Sequence, residues 1–221
     1  MSPEPISFSL GQVFTFLFVT LGPIKVIAPF ARMTRGRDDA FRRQLAVRGT
    51  ILSIVAVLAA ATIGIKILGK WGIGAGALLL TIGVVLFLVA LRSVLAHYEP
   101  GSAPEEPGQS ADAPPPSAAS LAFSPLTFPT IVTPYGIAVV ILILHLRGPD
   151  ESMLPILGLL SLILALDLAA MLAARTILRL PVVPALLQIV GAVMGILQVA
   201  LGVQAMIGGL RLAGVIGPAL G

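Results

Sequence analysis

Cysteine is absent, and histidine occurs only at His97 and His145. No disulfide, thiolate metal site or thiol nucleophile can be built, and a His-Glu-x-x-His zinc helix has no residues to form from. Neither a Gly-x-Ser-x-Gly nucleophile elbow nor a phosphate loop occurs. Charge is equally scarce, with Asp, Glu, Lys and Arg at 11% of 221 residues against 57% hydrophobic. A soluble domain carries about 25% charged residues, so this deficit leaves membrane protein as the class that fits. The net charge of +4 would point to nucleic acid if basic and aromatic residues shared a surface. Instead the arginines lie between apolar runs, as topology signals do. Nucleic acid is therefore excluded as a partner, no cofactor or metal is expected, and the chain is not expected to be an enzyme. An intramembrane protease would need a serine or paired aspartates inside its spans, and Asp167 is the one clearly intramembrane carboxylate.

What is abundant is apolar sequence in lengths that cross a bilayer. At about 20 mainly apolar residues per span, six spans are expected at 8–31, 50–68, 72–91, 121–146, 153–174 and 185–207. Glu4, Pro3 and Pro5 stand where a signal peptide would be basic, and no small-residue cleavage site follows, so the first span is expected to be retained. Asp38 or Asp39 is placed to cap a helix that runs on into the second span. Glu99 to Ser120, with six prolines and four acids among Ala, Ser and Gly, reads as a flexible cytoplasmic linker. It divides the chain into residues 1–98 and 121–221, each with three spans. Three is odd, so the halves are expected to face opposite ways. With the N-terminus outside, Arg32, Arg35, Arg37, Arg42, Arg43, Arg48, Arg92, Arg175 and Arg179 lie inside, against Lys66, Lys70, Arg147 and Arg211 outside. That asymmetry favours both termini outside. Gly83-x6-Ala90-x-Arg92 also aligns with Gly195-x6-Gly202-x-Gln204 at a constant offset of 112, a weak repeat that fits the division.

Two apolar runs are interrupted. The fourth span carries Pro125, Thr127, Pro129, Thr130, Thr133, Pro134 and Gly136 near its middle, and the first carries Gly22, Pro23, Lys25 and Pro29. Each proline removes a backbone donor and crowds the turn before it. A membrane tolerates such breaks only where protein or a water-filled cavity satisfies the freed carbonyls. Paired breaks in corresponding positions of two halves point to a transporter's binding site.

Asp167 is costly inside a span unless it faces a cavity or a partner. Counted from the same side, Asp167 and Lys25 both lie about 10 Å deep at 1.5 Å per residue, so they could meet. For Asp167 the readings are proton coupling or a structural ion pair with Lys25. For Lys25 they are a solute contact or a stem that snorkels to the headgroups. The threonines either bind a polar solute or repair the proline breaks. Gln188, Gln198 and Gln204 read as interhelical hydrogen bonders, and Gly191, Gly195 and Gly202 as close-packing positions. His145 reads as interfacial.

The run Leu17-Phe18-Val19-Thr20-Leu21-Gly22-Pro23-Ile24-Lys25-Val26-Ile27-Ala28-Pro29-Phe30, together with Ser124-Pro125-Leu126-Thr127-Phe128-Pro129 and Thr133-Pro134-Tyr135-Gly136-Ile137, resembles the MarC family of six-span bacterial inner-membrane proteins. The glycine-rich third and sixth spans fit as well. Members are named for a supposed link to multiple antibiotic resistance, and some relatives are assigned as transporters of small neutral amino acids, so the resemblance implies membrane transport. Two departures stand out. The family usually has Asn or Asp before the first proline, followed by Pro-x-Gly-Asn-x-Pro, where this chain has Gly22, then Lys25 and one extra residue before Pro29. The family's Gly-Pro-Gly is Thr133-Pro134-Tyr135-Gly136 here. Gaining an ammonium at the first break favours an anionic or zwitterionic solute.

The combined expectation is an all-α polytopic protein of the bacterial inner membrane, six helices arranged as two inverted three-helix repeats with the first and fourth interrupted. Its expected function is secondary transport of a small polar solute by alternating access, with Asp167 as the proton-coupling group. The alternative is a non-transporting scaffold or accessory subunit. The expected partners are the lipid bilayer and the solute, with a homo-oligomer allowed.

Overall fold

The structure is a computed structural model describing residues 9–95, 117–146, 152–179 and 182–217, with backbone alone at Pro184. Among the described residues every regular element is helical and none is a strand. Five segments are long and apolar enough to cross a bilayer: Leu10–Met33 taken together, Asp39–Trp71, Ala75–Leu95, Leu154–Arg179 and Ala185–Leu212. A bent pair, Ala118–Ile131 and Pro134–Leu146 at 62°, supplies a sixth when counted as one span.

The first of these is two helices, α1 (Leu10–Leu21) and α2 (Ile24–Met33), separated at Gly22-Pro23. Ser9 and Gln12 close a capping box at the start of α1, satisfying donors that would otherwise be orphaned. Gly22 donates its N–H to the Phe18 carbonyl at 2.9 Å. A side chain there would have its Cβ 2.1 Å from that same oxygen, so glycine is required for the chain to turn out of α1. Pro29, expected to share in the break, lies inside α2 instead. The proline that decides the break is Pro23, directly after the glycine.

Helix α3 (Asp39–Trp71) starts eleven residues before the expected second span and runs unbroken to Gly72, which caps it at φ +65°. The Asp38 carboxylate accepts from the Phe41 N–H at 3.3 Å, so the arginine-rich stretch becomes helix as far back as that cap allows. Helix α4 (Ala75–Leu95) follows directly.

Of the expected linker, residues 99–116 lie outside the described residues, as do the first eight residues and His97. Residues 117–120 belong to helical structure. Ser117 caps α5 (Ala118–Leu121), accepting from the Ser120 N–H, and so moves the start of this span ahead of Leu121. A loosely wound stretch, Ala122–Ile131, comes next, with Ser124 and Phe128 extended inside it. Each precedes a proline, whose ring pushes the preceding residue out of helical geometry. Helix α6 (Pro134–Leu146), α7 (Leu154–Arg179) and α8 (Val183–Leu212) complete the bundle.

Lipid tails are as apolar as leucine, so these helices are held by close packing and hydrogen bonds rather than by water exclusion. The tightest pair is α4 with α8. A Cβ at Gly83 would lie 2.6 Å from the Met206 nitrogen, one at Gly202 2.7 Å from the Phe87 nitrogen, and one at Gly209 2.5 Å from the Leu80 nitrogen. These neighbours are backbone and cannot swing aside. Gly191, by contrast, has nothing within 4 Å and is no part of this seam. We expect Gly202→Val to destabilise the protein by roughly 1–3 kcal/mol through overpacking, with Gly191→Ala close to neutral. Thermal unfolding in detergent measures both, and equal midpoints for the two variants would refute the close α4–α8 approach.

Candidate functional site

Breaking α1 leaves carbonyls near its end without helical donors. Pro23 has no N–H to give the Val19 carbonyl, and that oxygen accepts instead from Gln198 Nε2 of α8 at 3.0 Å. The Thr20 carbonyl accepts from two side chains. One is Lys25 Nζ, reaching back from the first turn of α2; the other is Thr133 Oγ1, from the residue before α6, at 3.2 Å. Thr133 Oγ1 in turn accepts from the Gly136 N–H at 3.1 Å, capping α6. One turn of α1 is thus tied to α2, α6 and α8 at once.

The second break is pressed against the first. A Cβ at Gly136 would fall 2.6 Å from Leu21 Cδ2, so the last side chain of α1 packs directly on the first turn of α6. Lys25 Nζ lies over the Tyr135 ring, 5.9 Å from its centre, a geometry in which the ring face attracts the cation.

Asp167 projects from the middle of α7 and is fully buried. Neither of its carboxylate oxygens has a hydrogen-bond partner among the described residues. Lys25 is near enough for the two charges to act on each other, yet no ion pair within 4.0 Å joins them among the described residues. Burial without hydrogen bonds is an expensive state for a carboxylate. A proton or a cation arriving there would relieve it.

Two cavities approach this junction from opposite ends of the bundle. One, of about 290 Å³, is lined by Gly22, Lys25, Pro29 and Arg32 of the first span and by Gly191 and Gln198 of α8. The other, of about 330 Å³, is lined by Gln12, Phe16 and Thr20 of α1, Leu79 and Leu86 of α4, and Gln204 of α8. They share no lining residue. The last turn of α1 borders both, Val19 lining the first and Thr20 the second, and it is held at those two residues by the side chains just described.

The sequence-derived candidates distribute unevenly over this geometry. Gly22, Lys25, Thr133 and Gly136 gather at the junction, and Pro23 creates the vacancy that Gln198 fills. Pro29 lines the first cavity. Thr127 is buried elsewhere, donating from Oγ1 to the Gly49 carbonyl of α3 at 3.2 Å, which commits its hydroxyl to helix packing. Thr130 is half-buried, while Pro129 and Pro134 are exposed. Sequence reasoning missed Tyr135 and the Thr20 carbonyl, and it treated Gln198 as one of three equivalent glutamines. The signal for Gln198 was indirect. A proline at position 23 announces that the Val19 carbonyl needs a donor from elsewhere, but not which one. Of the other two, Gln188 is exposed on α8 and Gln204 lines the second cavity.

An all-helical bundle with two interrupted spans meeting in its interior, and a half-buried lysine and a fully buried aspartate beside the meeting point, is an integral membrane protein of the broken-helix class. The family model for MarC family integral membrane proteins matches residues 8–213, and the chain belongs to that family, as its proline motifs indicated. No curated protein and no solved structure matches the chain.

Proposed function

We propose that this protein is a secondary transporter of a small polar solute bearing a carboxylate or comparable anionic group, an amino acid or related metabolite, and that it works by alternating access. The observation that carries this reading is the pair of cavities ending on opposite sides of one side-chain-tethered turn. Closing one cavity while opening the other requires that turn to change partners, and its hydrogen bonds to Lys25, Thr133 and Gln198 are all made by side chains, which can let go. An ammonium has three protons and the Thr20 carbonyl takes one, so Lys25 keeps donors for a solute in the first cavity. Asp167, buried without hydrogen bonds beside Lys25, is the group we assign to proton coupling.

The transporter is read as two inverted repeats, the first comprising α1 to α4 and the second α5 to α8. Supporting this, α2 packs on α7 as α6 packs on α3, and α1 packs on α7 as the loosely wound stretch 122–131 packs on α3, the pairing that exchange of equivalent segments gives. Arginines at the α2, α3 and α7 ends outweigh the basic residues at the opposite end, which favours that end inside and both termini outside a bacterial inner membrane.

A non-transporting scaffold would share the carbonyl repairs but has no use for a crevice leading to a lysine. Counterflow in proteoliposomes with a panel of small amino acids and organic acids tests the proposal. Accumulation of at least one labelled solute over empty liposomes is expected, and a flat result across the panel would favour the scaffold.

A further inference from the structure

The arginines that serve as topology signals do more than lie on one side. Arg32 at the end of α2, Arg35 and Arg37 in the loop that follows, Arg42 near the start of α3, and Arg175 and Arg179 in the last two turns of α7 line a single cavity of about 640 Å³. Among the described residues no carboxylate lines it. Asp39 is shared between Arg175 at 3.1 Å and Arg42 at 3.7 Å, and the Asp38 carboxylate is engaged by the Phe41 N–H. Arg37 lies over the Phe41 ring at 4.8 Å. Arg32, Arg35 and Arg179 have no carboxylate partner among the described residues.

Orientation in the membrane requires only that positive charge accumulate on one side. It does not require residues more than a hundred positions apart to converge on one concavity, where six guanidinium groups repel one another. Helix C-termini at α2 and α7 offset part of that repulsion, while the start of α3 adds to it. Guanidinium is the side chain whose planar fork matches phosphate oxygens two at a time, and basic pockets between helices at the membrane boundary hold anionic headgroups.

We infer that this cavity is a binding site for a phosphate-bearing anion, supplied either by the headgroup of an anionic phospholipid or by free phosphate. It is distinct from the proposed solute site and does not depend on it, although Arg32 and Ala28 line both cavities and so join them.

The full chain in detergent would be offered an equimolar mixture of phosphatidylglycerol and phosphatidylcholine, and the retained lipid measured by native mass spectrometry. In parallel, inorganic phosphate would be titrated against thermal stability. Preferential retention of phosphatidylglycerol is expected in the native chain. In Arg35→Gln/Arg179→Gln it should fall about 25-fold, two arginines at about a factor of 5 each, while Arg211→Gln at the opposite end changes nothing. A phosphate-dependent rise in the unfolding midpoint without lipid preference would assign the site to free phosphate. Equal retention of both lipids together with no phosphate response in the native chain overturns the inference, and that comparison stands even if the double variant does not fold.

Discussion

Replacing Asp167 by Asn is expected to abolish solute uptake driven by an imposed pH gradient while leaving the protein as stable as before, or more so. The carboxylate is fully buried and neither oxygen is hydrogen-bonded among the described residues. Its charge therefore costs free energy in the resting fold, of the order of several kcal/mol for an ion so placed, and an amide of the same shape removes that cost. A group kept at such expense belongs to a step in which it gains a proton or a partner. The opposing possibility is a structural pair with Lys25. Removing one member of a buried pair costs about 3–5 kcal/mol, so that role predicts a marked fall in the thermal unfolding midpoint. Proteoliposome uptake under a pH gradient and unfolding in detergent separate the two. Retained proton coupling in Asp167→Asn, or a large loss of stability, would remove Asp167 from the transport cycle.

Lys25→Met should weaken binding of a carboxylate-bearing solute by roughly 10- to 150-fold, the loss of one hydrogen bond from a charged group at about 1.5–3 kcal/mol. Methionine keeps the length of the stem but cannot donate to the Thr20 carbonyl or to a solute. Thr133 Oγ1 still serves that carbonyl at 3.2 Å, so the fold is expected to survive the change. Solute-dependent thermal stabilisation of the purified protein reads the affinity directly. Equal stabilisation of native and variant protein would mean that Lys25 only closes off the end of α1.

Much of this architecture was readable from single residues. Gly22 followed by Pro23 ends a helix by local sterics, and Asp38 starts one by capping it; both are short-range effects that a sequence states openly. Pro29 was misread as part of the break, because a proline's effect depends on whether the turn before it is already helical, and here α2 had begun at Ile24. Thr127 and Thr133 looked equivalent in sequence. One bonds α3 and the other bonds α1, a difference set by where two distant helices lie.

Helix content, membrane location and the existence of two interruptions were determined by the sequence alone, since apolar length, proline and glycine act within a few residues of themselves. The tertiary structure decided which donor serves each freed carbonyl, that Asp167 has no hydrogen-bond partner among the described residues, and that six scattered arginines share one cavity. Those outcomes depend on the distances between helices, which close packing of backbone on backbone sets at glycines such as Gly83, Gly202 and Gly209, and no local propensity encodes them.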